Sequence, residues 1–170
     1  MIISIYDDYI RSVFEKFMAR MKPEVIDSFE GFLETVKLVE IISKSNAAGV
    51  CRYETSVSIE EYARIEISRT ICSSLSEKAI IGVFAHEFGH LEDRLFNGLC
   101  SEIYNEDAEI TANTIACYWG FKDEILIMHE ELDFQEYEIP IDLSELDADL
   151  AKSYWETRHG KVSSFSRQGS

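Results

Sequence analysis

With 170 residues the chain is sized for one domain, and its 46% hydrophobic and 12% aromatic content is enough for a packed core. Its 16 basic and 32 acidic side chains give a formal charge of −16. That charge disfavours sequence-independent nucleic-acid binding and docking on anionic membranes, both of which draw on Lys and Arg, and it favours basic partners or substrates.

The first residues, Met1 to Asp8, lack the basic start and long apolar run of a signal peptide, and no apolar stretch reaches the length of a membrane span. A cytosolic location without membrane contact is therefore expected. Cys51, Cys72, Cys100 and Cys117 show no CxxC spacing, so reduced, mostly buried thiols are expected rather than a thiolate zinc knuckle.

Over 6–21 the apolar residues Tyr6, Tyr9, Ile10, Val13, Phe17, Met18 and Met21 recur at helical spacing. Pro23 interrupts the pattern, and Val25, Ile26, Phe29, Phe32, Leu33 and Val36 predict a second helix weakened by Gly31. The period then changes to two. Strands are predicted over 37–43, 50–58 and 63–68, the last alternating Ala63, Ile65 and Ile67 with Arg64, Glu66 and Ser68.

A long helix opens near Ser76, a good N-cap followed by Glu77, with Ser74 and Glu77 as an alternative capping box. It carries Ile80, Val83, Phe84, Phe88, Leu91 and Leu95 and stops at Asn97-Gly98. The next helix runs from Asn105 to Gly120, and further helices are predicted over 123–133 and 143–156. The order makes an α+β domain: N-terminal helices, a small three-stranded sheet, then more helices. A single domain over 1–160 is expected, with its core at about 45–121, an acidic helical part over 122–160 and a flexible tail over 161–170.

The chemistry is concentrated at His86-Glu87-Phe88-Gly89-His90, an HExxH motif inside the long helix. Residues four apart are displaced by about 40° around a helix, so both imidazoles can reach one ion. Zinc lowers the pKa of a coordinated water toward neutrality, and Glu87 is placed to take the proton as general base. Gly89 leaves room for another element to pack closely. A metzincin would continue HExxHxxGxxH, but Asp93 and Phe96 stand at the Gly and the last His, which excludes that class.

A third ligand from the following helix remains. Residues 109–116 have the form ExxA(D/N)xxA, which puts Glu109 and Asn113 one turn apart on one face. Glu109 can bind zinc, Asn113 can hydrogen-bond a ligand histidine, and the alanines permit close helix contact. Glu106 shares that face and competes, but only Glu109 has both the polar partner and the alanine spacing. Asp107 and the other leftover acids read as complements of the helix dipole.

Ile65-Glu66-Ile67-Ser68-Arg69, Leu75-Ser76-Glu77, Val83 to His90 and Glu109 to Ala116 with Gly120-Phe121 together resemble the gluzincin metallopeptidases of the HtpX and CAAX-protease type. They are similar also to the soluble minigluzincins and ImmA-like proteins. The resemblance implies one Zn2+ per chain on His86, His90 and Glu109, with Glu87 as base and Asn113 behind a ligand. It implies too that Asn46-Ala47-Ala48-Gly49 is the remnant of an edge strand that pairs with substrate backbone. Tyr104, Tyr118, His129 and His159 are candidate oxyanion donors, none singled out by pattern.

The expected function is a zinc-dependent endopeptidase acting on a protein or peptide, and the alternative is a zinc-binding regulatory module with little turnover. The acidic run from Asp123 through Asp149 reads as solvated helix faces, or as a lid in which 133–149 covers the zinc cleft.

Overall fold

The computed structural model describes residues 1–29, 33, 36–42, 47–53, 63–97 and 106–133. Among these, a sheet of four strands packs with a set of helices centred on one long helix. The strands are β1 (Ile2–Ser4), β2 (Val36–Ile41), β3 (Gly49–Tyr53) and β4 (Ala63–Ser68), in the spatial order β1-β2-β4-β3. β1, β2 and β4 run parallel, and β3 lies antiparallel against β4 with Cys51 opposite Ile65. The fourth strand beyond the expected three is β1. Three residues carry too little periodicity to declare a strand, and it forms because Ile2, Ile3 and Ser4 find Lys37, Leu38 and Val39 as partners.

Among the described residues six helices accompany the sheet: α1 (Asp8–Arg20), α2 (Pro23–Ser28), α3 (Arg69–Cys72), α4 (Glu77–Asn97), α5 (Glu106–Tyr118) and α6 (Lys122–Asp133). Asp7 caps α1 by accepting from the amides of Tyr9 and Ile10 at 3.0 and 3.1 Å. Pro23 opens α2, which is shorter than its apolar pattern suggests because Val36 belongs to β2. Ser76 caps α4, its Oγ accepting from Ala79 N at 3.2 Å. Ser74 Oγ donates to the Ile71 carbonyl at 2.8 Å, one turn ahead of that cap. The short α3, capped by Ser68, has no counterpart in the sequence reading. The remainder of the strand expected over 50–58, the helix over 143–156, the covering segment over 133–149 beyond Asp133 and the tail lie outside the described residues.

The inward faces of β2 and β4 carry Val36, Leu38, Ala63, Ile65 and Ile67, all fully buried. α4 is the hub of the helical layer, packing with α1, α5, α6 and β3. Its Phe84 and Phe88 meet Phe14 and Phe17 of α1, with Phe14–Phe84 centroids 5.1 Å apart and Phe17–Phe88 5.2 Å, both edge-on. Phe17 also meets Phe121 at 5.2 Å, joining the turn between α5 and α6 to the same cluster.

Two glycines on α4, seven residues and about two turns apart, let neighbouring backbones come close. A Cβ at Gly89 would overlap the Ala112 carbonyl of α5, and one at Gly82 would overlap the Glu124 carbonyl of α6. α6 is laced to α4 again where Glu131 Oε2 accepts from Ser76 N at 2.7 Å, and to α1 where Arg20 pairs with the buried Glu124 at 2.6 Å. Two acids of the acidic stretch thus have structural partners, while Asp123 and Glu130 face solvent. Among the described residues no helix is long and apolar enough to cross a membrane.

Candidate metal centre

His86 and His90 project from one face of α4 toward Glu109 on α5. His86 Nε2 lies 3.0 Å from Glu109 Oε2, His90 Nε2 lies 3.3 Å from Glu109 Oε1, and the two Nε2 atoms are 3.1 Å apart. The three donors therefore converge on one point, and they form the one His/Cys/Asp/Glu group among the described residues with metal-ligand spacing. Zinc bonds of about 2.0–2.2 Å at tetrahedral angles put adjacent donors about 3.3 Å apart. The 3.1 Å between the two Nε2 atoms is near that value, each imidazole has one oxygen of Glu109 at a similar distance, and the two-imidazole, one-carboxylate set suits zinc chemically. The side chain of Glu106, the competing acid, lies outside the described residues.

Each donor is placed by local sequence logic. The i, i+4 spacing aligns the imidazoles, whose rings stand edge-on with centroids 4.6 Å apart. Gly89, between them, admits α5 so closely that Glu109, three residues before Ala112, reaches both. Asn113, one turn further along α5 and fully buried, sits behind His86 with Oδ1 2.9 Å from Nδ1. Its Nδ2 lies 3.1 Å from Nε2 of His129 on α6.

The electrostatics follow from this arrangement. Burial lowers the pKa of His86, but the Glu109 bond and the charges of Glu87 and Glu109 outweigh it and raise it from 6.5 to about 9. Burial works against ionised Glu109 as well, yet the two histidines hold its carboxyl well below the usual range. Glu87, 4% exposed, is raised: burial drives it up, His86 and His90 oppose this, and Glu109 adds to it. Burial pushes the thiols of Cys72 and Cys117 up to about 12 and about 11, which makes them unreactive core residues, as expected for them.

Glu87 lies against β3, the edge strand of the sheet among the described residues. The Cys51 backbone amide of β3 donates to its carboxylate, and Oε2 is buried with no hydrogen-bond partner among the described residues. A Cβ at Gly49 would fall 2.6 Å from Glu87 Oε1 and 2.7 Å from Cγ, so glycine is what makes room for the carboxylate there. Of the sequence Asn46-Ala47-Ala48-Gly49, Asn46 lies outside the described residues, the Ala48 carbonyl accepts from Ser68 N at 2.8 Å, and Gly49 opens the edge strand β3.

Among the candidate oxyanion donors, Tyr104 and His159 lie outside the described residues, and Tyr118 packs under the Lys22 ammonium. His129 stands behind Asn113 rather than beside the converging donors. Sequence reasoning missed its link to Asn113, the close approach at Gly82 and the clearance at Gly49. The first depends on α6 packing against α5 and the second on α6 packing against α4, and no local pattern encodes either.

Residues 14–102, just over half of the chain, match the SprT-like family, a zinc metallopeptidase-like family. No curated protein and no solved structure matches the chain. The match supports the expected zinc metallopeptidase relation of the minigluzincin-like kind and does not single out the HtpX or CAAX type. The match ends before α5, so Glu109 and Asn113 rest on the geometry alone.

Proposed function

The chain belongs to the SprT-like family, and from that premise we propose that it is a zinc-dependent peptidase that hydrolyses a protein or peptide. The observation that carries this reading is the convergence of His86, His90 and Glu109 at tetrahedral donor spacing, with the buried carboxylate of Glu87 alongside. A zinc ion held by these three would supply Lewis acidity and an acidic water.

The chain's own groups account for the rest. Nδ1–H of His86 donates to Asn113 Oδ1, which leaves Nε2 as the lone-pair donor. Glu87, raised by burial, is suited to accept a proton at Oε2 and return it to a leaving amine. The Cys51 amide fixes the other side of its geometry, and the wall of β3 shields it from bulk water.

Neither the HtpX nor the CAAX relation enters this proposal, and a soluble minigluzincin-like enzyme is the finer reading it favours. A carboxylate with a buried, unpartnered oxygen beside the donors also favours turnover over a purely regulatory role, because a scaffold has no need to desolvate it. The test is Glu87→Gln, assayed on an unfolded protein substrate with metal content measured in parallel. Zinc should be retained and hydrolysis should fall by about 100-fold or more. Wild-type hydrolysis in this variant would rule out the assigned base.

A further inference from the structure

We propose that His129 is a positioning residue of the metal centre: by accepting a hydrogen bond from Asn113, it keeps the Asn113 carboxamide oxygen turned toward His86. The inference rests on the reading of His86, His90 and Glu109 as a metal site and extends it by one layer, onto a helix that carries none of the motif.

Asn113 is fully buried and His129 is 8% exposed. The carboxamide has one end that only accepts and one that only donates. Its Oδ1 faces His86 Nδ1 at 2.9 Å and its Nδ2 faces His129 Nε2 at 3.1 Å. In this sense His86 carries its proton on Nδ1 and offers a bare Nε2 to the metal. Turned end for end, the carboxamide would present a donor to Nδ1, the His86 proton would move to Nε2, and the imidazole could no longer ligate.

A metal-competent site therefore needs Nδ2 pointing at position 129, and a buried donor there needs an acceptor. Neutral histidine supplies one, and burial holds His129 neutral by lowering its pKa from 6.5 to about 4. The position of the ring is set by α6, which is held against α4 by the close approach at Gly82 and by the Glu131 bond to the α4 N-terminus.

His129→Leu removes the acceptor. His129→Gln places a carboxamide oxygen at the same reach as Nε2, and His129→Met is a second non-accepting variant should leucine not fold. Zinc affinity is measured by chelator competition, and the Asn113 side-chain amide is followed by NMR in metal-free protein. The non-accepting variants should bind zinc about 10–100-fold more weakly and lose the hydrogen-bonded, exchange-protected Asn113 amide proton, and His129→Gln should recover most of both. A folded non-accepting variant with wild-type zinc affinity overturns the proposal, as does a folded His129→Gln protein no better than His129→Leu. Failure of the wild type itself to bind zinc would overturn the metal reading instead.

Discussion

At Glu87, burial and the neighbouring histidines pull the carboxyl in opposite directions, and burial wins. The residue that permits this burial is Gly49, since any side chain there would meet the Glu87 carboxylate and its Cγ. Gly49→Ala should leave the fold and the zinc content unchanged, because the cluster of His86, His90 and Glu109 is not displaced. It should lower kcat by about 100-fold, the cost of misplacing a reacting group by about 1 Å. Steady-state kinetics together with metal analysis check this, and an unchanged kcat would show that Glu87 adjusts freely. Asn113→Ala should weaken zinc binding by about 10–100-fold, the usual effect of removing the partner of a ligand imidazole; chelator competition measures it.

At the level of elements, the site exists because α4 is approached by α5 on one side of Gly89 and by α6 at Gly82. Alanine at either position gains about 0.5–1 kcal/mol of helix propensity. Its methyl group, however, overlaps a backbone carbonyl that cannot rotate away, and overpacking of that kind costs about 1–3 kcal/mol or more. We therefore expect Gly89→Ala and Gly82→Ala both to lower the urea midpoint of metal-free protein. Gly89→Ala should in addition weaken zinc binding, because Glu109 moves with α5. Equal zinc affinity in Gly89→Ala and wild type would separate the close approach from ligand placement. These elements also show which parts of the fold were legible in the sequence. β4, α4 and the face of α5 could be read because Ile65 and Ile67, the HExxH spacing and the Glu109–Asn113 turn repeat within their own segments. β1 could not, because Ile2–Ser4 is defined by its pairing with β2, and the Asn113–His129 link could not, because it joins helices by packing rather than by period.

For the whole molecule, two histidines give opposite pH dependences. His86 of the metal-free protein titrates at about 9, above its ordinary 6.5, so its stabilisation is complete below pH 6.5 and is lost as pH rises through 9. His129 titrates at about 4, below 6.5, so between those values the unfolded chain binds a proton that the folded chain refuses, and stability falls as pH drops. From these two groups, metal-free protein should be most stable near pH 6.5. Zinc competes with the proton on His86, so the zinc-induced rise in Tm should grow from pH 6.5 to 9; a pH-independent rise in thermal melts would count against His86 as ligand. The proposed role of Glu109 is to complete the metal site begun by His86 and His90. Its most direct test is the zinc stoichiometry, by atomic emission, of wild type, Glu109→Ala and Glu106→Ala purified without chelator. We expect about one zinc per chain in wild type and Glu106→Ala and a loss of most of it in Glu109→Ala, whereas full retention by Glu109→Ala with loss in Glu106→Ala would contradict the assignment.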